Sequence, residues 1–173
     1  MVMLQMPSLI RVVLDRAQEI EAHEAALARA RGDNAGPNSP YMHLQAMNYH
    51  DFIAYCAEAA GAEIAVAAYF GVLNFKPSVD TYHSQADIGE NIEVKYTKYP
   101  TGQLIIQANQ KARIEDICIL VVGKSPVYAI AGWLPITMAL NPKYFHTLQG
   151  NYWIPQANLF EMKYLKRSNY GRT

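Results

Sequence analysis

Ala86-Asp87-Ile88-Gly89-Glu90-Asn91-Ile92-Glu93-Val94-Lys95-Tyr96-Thr97 sets a carboxylate, a turn-forming glycine and a Glu-Val-Lys triplet close together in the chain. Successive side chains of a strand project to opposite faces. Glu93 and Lys95 therefore share one face, and Ile92, Val94 and Tyr96 share the other. Gly89 can take the positive φ that a tight connection demands, so Asp87 can end one strand and fold back beside Glu93 in the next. Two carboxylates then converge near one lysine.

Oxygen ligands in that number suit Mg²⁺ or Mn²⁺, which keep coordination positions for water and phosphate oxygens. A metal so held can bind a DNA phosphate and activate the attacking water. An Asp followed by Glu-x-Lys resembles the signature of the PD-(D/E)XK nuclease superfamily, matched here by Asp87 and Glu93-Val94-Lys95. Ala86 stands where the family's proline would be. The resemblance, closest to a small phage-encoded type, covers roughly residues 60–159 and includes Gly132-Trp133-Leu134-Pro135 and Trp153-Ile154-Pro155.

The resemblance implies an α/β fold, a mixed central sheet of about five strands flanked by helices, with a restriction-endonuclease-like core and an N-terminal helix. It implies that Asp87 and Glu93 hold one or two Mg²⁺ ions, with Mn²⁺ able to substitute, and that the Val94 carbonyl adds an oxygen ligand. Lys95 would orient or deprotonate the water, or stabilise the phosphate. An ammonium beside two carboxylates is held protonated, which favours the positioning and electrostatic roles. Glu63, in the apolar run Gly61-Ala62-Glu63-Ile64-Ala65-Val66-Ala67, is costly to bury unless paired or metal-bound. The resemblance makes it a further acidic group at the site, direct or through water; the alternative is a glutamate on the helix's solvent face. Lys111, Gln107, Lys98 and His83 are the candidate DNA contacts.

The whole chain of 173 residues, 51% hydrophobic and 17% charged, fits one nuclease-like domain: residues 1–40 as N-terminal helix and linker, 41–160 as core and 161–173 as basic tail. No apolar run reaches the roughly 18 residues of a membrane span, and the start lacks a signal peptide's basic and apolar segments. A soluble intracellular protein is the resulting expectation, and the resemblance implies the cytoplasm of a phage-infected bacterial cell. Cys56 and Cys118 have no Cys or His at ligand spacing and read as reduced core residues. A net charge of zero hides an asymmetry: residues 1–94 hold 5 Lys/Arg against 12 Asp/Glu, and residues 95–173 hold 10 against 3. The basic second part, with Lys163, Lys166, Arg167 and Arg172 near its end, supplies charge that a DNA partner needs.

Along the chain, Leu9, Val13, Ala17, Ile20 and Leu27 recur at helical spacing and predict an amphipathic helix over 8–31, with Ser8 as N-cap. Gly32 to Pro40 is a linker dense in turn formers. Residues 42–71 predict helix in one or two pieces, stopped by Gly71. Residues 76–85 read as a polar connection carrying His83. After Glu93-Val94-Lys95, the turn at Tyr99-Pro100-Thr101-Gly102 leads to a third strand over 103–108, giving an antiparallel meander. Ile117 to Val122 is continuously apolar and reads as a strand covered on both faces. A further strand spans 127–133, and a short helix lies in 136–144. The function expected is metal-dependent hydrolysis of DNA phosphodiester bonds in phage DNA processing, recombination or repair, with a possible homodimer. A non-catalytic DNA-binding or phage assembly protein is the alternative.

Overall fold

The computed structural model describes residues 8–31, 48–79, 85–107 and 114–165. Four strands form a mixed sheet: β1 (Ile10–Val13), β2 (Ile92–Thr97), β4 (Ile117–Lys124) and β5 (Val127–Pro135), in the order β1-β5-β4-β2. β2 runs parallel to β4, and the other two pairings are antiparallel. A second sheet joins β3 (Leu104–Gln107), β7 (Asn151–Ile154) and β6 (Phe145–His146), all antiparallel. The mixed sheet flanked by helices agrees with the sequence reading. The expected five strands resolve instead into four and three.

β4 is apolar throughout because both of its faces are covered. Ile117, Ile119 and Val121 join Ile92, Tyr128 and Ile130 in a core beneath α1 (Arg16–Arg31) and α2 (Tyr49–Phe70). Cys118, Leu120 and Val122 face the other way, toward Leu104, Ile106 and Ile154 of the second sheet and the short α3 (Ile136–Ala139). Glu93 and Lys95 alternate with the apolar Ile92, Val94 and Tyr96 that pack against the first core, and so belong to the second face. Layering thus places the Glu-Val-Lys polar pair on the side of the second sheet.

The expected meander does not form. The 104–107 strand pairs with β7, Leu104 opposite Ile154, and not with β2. Its alternation of buried Leu104 and Ile106 with less buried Ile105 and Gln107 suits a one-sided sheet, and period-2 patterning does not name the partner. The connection from β2 to its parallel neighbour β4 therefore passes through a strand of another sheet.

The N-terminal helix also begins later than its sequence pattern suggests. Residues 10–13 are an edge strand with Ile10 and Val12 turned inward, and α1 starts at Arg16. Asp15 and Gln18 cap it reciprocally: Gln18 N–H donates to Asp15 Oδ1 and Asp15 N–H donates to Gln18 Oε1, both at 2.9 Å. This is a capping box, and Ser8 is not the N-cap. Leu9, Val13, Ile20 and Leu27 are exposed. The buried stripe is Ala22, Ala25, Ala26 and Ala30, whose small side chains let α1 lie against α2, with Arg29 buried among them.

α2 is capped by Asn48, which accepts from Asp51 N–H, and is stopped by Gly71 at φ +74°, as its sequence predicts. By length and composition it could cross a membrane, yet most of it is buried inside the protein, with Ala60 to Ala67 against the sheet. It is a core helix. Glu58 ties it to the sheet by accepting from Tyr128 Oη at 2.8 Å and Ser125 N–H at 3.0 Å.

Gly61 is the point of closest approach: a Cβ there would come within 2.9 Å of Tyr128 Cζ, on a ring with no exposed surface. Alanine gains about 1 kcal/mol over glycine in a helix interior, but overpacking a rigid core costs about 1–3 kcal/mol. Gly61→Ala is expected to lower the denaturation midpoint despite its better helix propensity. An unchanged or higher midpoint would show that α2 and β5 can separate freely.

Candidate active site

Gly89, at φ +59°, turns the chain so that Ile88 and Ile92 form a small antiparallel bridge, each N–H donating to the other's carbonyl at 3.1 and 3.2 Å. Asp87 is thereby delivered beside β2, although the arm carrying it is a single bridge and not a full strand. Its Oδ2 accepts the Val94 N–H at 2.7 Å. A strand residue's N–H and C=O project to the same side. The Val94 carbonyl therefore points off the same free edge of β2 as the N–H held by Asp87. β2 is the terminal strand of its sheet, which leaves this edge for Asp87 to occupy.

Lys95 Nζ lies 2.7 Å from Glu93 Oε1, and both side chains are largely shielded from solvent. Burial works against the Lys95 ammonium, but Glu93 and Asp87 more than offset it and leave the lysine pKa above its ordinary value. Lys95 is thus a fixed cation. Asp87 is pushed well above the usual carboxylate range, first by burial and then by the negative charges of Glu63 and Glu93; the Val94 N–H and Lys95 pull the other way. Cys118, opposite Glu93 in the β2–β4 ladder, is a buried free thiol pushed up by burial.

Glu63 is buried, so the solvent-face alternative does not hold. Both of its carboxylate oxygens are engaged by Arg29: Nη1 donates to Oε1 at 3.1 Å and Nη2 to Oε2 at 2.9 Å. Burial pushes the Glu63 carboxyl up and the guanidinium pulls it down. A fork of this geometry favours the ionised carboxylate. Arg29 also donates from Nε to the Ser78 carbonyl at 2.8 Å, so one side chain links α1, α2 and the connection that leads to Asp87.

None of the family models, curated proteins or solved structures compared with this chain matches it.

Asp87, Glu93, Lys95 and Glu63 lie within electrostatic reach of one another. Two candidate DNA contacts lie on the surface. Lys98 is exposed after β2 with its ammonium 5.2 Å from the Tyr99 ring centroid, and Gln107 is exposed at the end of β3 in the second sheet. His83 and Lys111 lie outside the described residues. Arg29 is a residue that the helical spacing of Leu9, Val13, Ala17, Ile20 and Leu27 does not point to. Its signal is positional: Arg29 is the one charged residue on a stripe otherwise made of alanines.

Among the described residues no three His, Cys, Asp or Glu side chains are arranged to hold a metal ion. Two carboxylates and a carbonyl with water are a different pattern, and one that suits Mg²⁺, which dehydrates reluctantly and keeps several waters. Asp87, Glu93 and the Val94 carbonyl match that pattern in donor type, with Asp87 and the carbonyl at the edge of β2 and Glu93 on its adjoining face. The mutual repulsion of the carboxylates is what a cation would relieve.

A carboxyl with a raised folded pKa keeps its proton in the native state where the unfolded chain has lost it, so stability falls as pH rises through that window. Asp87→Asn removes this penalty while keeping an acceptor for Val94 N–H. The variant is expected to melt higher than the native protein at neutral pH in chelator, by about 2 °C or more, the scale on which roughly 1 kcal/mol appears in a chain of this length. The difference should shrink toward pH ~4, the ordinary aspartate range. Equal melting temperatures across that range would show that Asp87 is not under strain.

Proposed function

We propose that this chain is a metal-dependent deoxyribonuclease that hydrolyses DNA phosphodiester bonds, on a restriction-endonuclease-like core of the PD-(D/E)XK kind. The observation that carries the proposal is the hydrogen bond from Val94 N–H to Asp87 across the free edge of β2, which sets Asp87 beside the Glu93–Lys95 pair. The departures are the single bridge in place of a full Asp-bearing strand and the transfer of the third strand to another sheet.

In this reading Asp87 and Glu93 bind Mg²⁺ or Mn²⁺, with the Val94 carbonyl beside them. When bound, the cation supplies Lewis-acid stabilisation of the phosphate and a water of lowered pKa. Asp87 is oriented by the Val94 N–H, so its free lone pairs are fixed relative to the strand. Lys95, held protonated, supplies positive charge where the phosphate gains negative charge. Its pKa makes it a poor acceptor for the proton of the attacking water, and positioning is the role its chemistry supports. The basic second part of the chain contributes general attraction to the DNA backbone.

The proposal is tested by incubating the purified protein with single-stranded, duplex and four-way-junction DNA in Mg²⁺, Mn²⁺ or EDTA, beside Lys95→Ala. Metal-dependent cutting is expected, reduced in the variant by about 10²–10³-fold, the usual cost of removing a group that stabilises developing charge. Near-native turnover by Lys95→Ala would remove the assigned role. Salt-sensitive retention of DNA without cutting would favour the non-catalytic DNA-binding alternative.

A further inference from the structure

The Arg29–Glu63 pair bears on how the site takes its cation, on the metal-dependent reading proposed above. Glu63 sits on α2 with 6% of its surface exposed, and Arg29 sits on α1 with 7%. Both Glu63 oxygens face the guanidinium in a two-point fork, at 3.1 and 2.9 Å. Arg29 Nε is held separately by the Ser78 carbonyl, which fixes the direction from which the fork approaches. The fork takes one lone pair on each Glu63 oxygen and fixes the plane of the carboxylate, so an ion drawing Glu63 toward itself would strain or break a buried charge pair, which is strongly unfavourable. Yet Glu63 is close enough for its charge to act on Asp87.

We propose that Arg29 withholds Glu63 from the cation: the site takes one divalent ion through Asp87 and Glu93, and Glu63 acts as a fixed neighbour outside the coordination shell. Arg29 is then a positioning residue, acting through Glu63 and through the Ser78 carbonyl. Removing the pair as a unit takes away one positive and one negative charge and no ligand, whereas Asp87→Asn takes away a ligand.

Cation binding separates the two cases. Mn²⁺ binding is measured by the electron paramagnetic resonance signal of the free ion, for the full chain, Glu63→Gln, the double variant Arg29→Met with Glu63→Met, and Asp87→Asn, each checked for folding by circular dichroism. One Mn²⁺ per native chain is expected. The double variant should bind the same number with an affinity within about tenfold of native, the low end of what outer-shell changes cost. Asp87→Asn should lose binding. Glu63→Gln is informative if the double variant fails to fold, since it keeps a side chain that Arg29 can meet, and it too should retain one ion. Two ions per native chain, with one lost on changing Glu63, would overturn the inference. So would a collapse of affinity in a folded Glu63 variant matching that of Asp87→Asn. No Mn²⁺ binding by the native chain would overturn the metal-dependent reading and this inference with it, a result distinct from both of those.

Discussion

The hydrogen bond between Val94 N–H and Asp87 Oδ2 is the contact on which the candidate site depends. β2 is an edge strand, and an edge presents backbone groups that must find partners. Ile88 meets Ile92 through backbone groups, and Asp87 meets the next outward N–H, that of Val94, through its side chain. Edge protection and carboxylate placement are therefore accomplished by the same turn. Gly89 makes the turn possible, because its φ of +59° is a conformation that side-chain-bearing residues rarely adopt. Without that turn Glu93 and Lys95 would remain an ordinary pair on one strand face.

Placement carries a cost in stability. Asp87, Glu63 and Glu93 bring three carboxylates together, and their repulsion adds to the penalty of burial at Asp87. Two cations oppose them from different sides. Lys95 lies on the strand against Glu93, and Arg29 reaches from α1 to Glu63. The two helices are thus joined by charge, and helix is joined to sheet by the apolar core of Ala60, Ile64, Ile92 and Ile119. Glu58 makes a polar link between α2 and the sheet, through Tyr128 and Ser125. A carboxyl kept at an unfavourable pKa is common where a group has a chemical task, although structural ion-pair networks shift pKa values in the same way.

Local features were legible in the sequence wherever one residue type had one physical reason. Alternation placed Glu93 and Lys95 on one face, the unbroken run from Ile117 marked a strand covered twice, and Gly71 marked the end of α2. Pairing was less legible. Leu104 and Ile106 show a strand with one buried face, but the choice of β7 over β2 depends on residues some fifty positions away, and alternation carries no such address. At the N-terminus, Ile10 and Val12 fit a strand while Val13, Ala17 and Ile20 fit a helix, and the two periods overlap over a few residues. Large aliphatic residues on the exposed side of α1 masked the alanine stripe that is buried. Arg29 lay on that stripe, so its link to Glu63 was lost with it.

Anomalous scattering from crystals of the full chain grown or soaked in Mn²⁺ tests most directly whether this edge is a cation site. A single peak is expected about 2.0–2.2 Å from carboxylate oxygens of Asp87 and Glu93, the distance range of hard-cation oxygen coordination, with Glu63 still forked to Arg29. A peak at other side chains, or none at Asp87 in Mn²⁺ well above millimolar, would contradict the metal-dependent reading and leave the Asp87, Glu93 and Lys95 cluster as a means of closing the edge of the sheet.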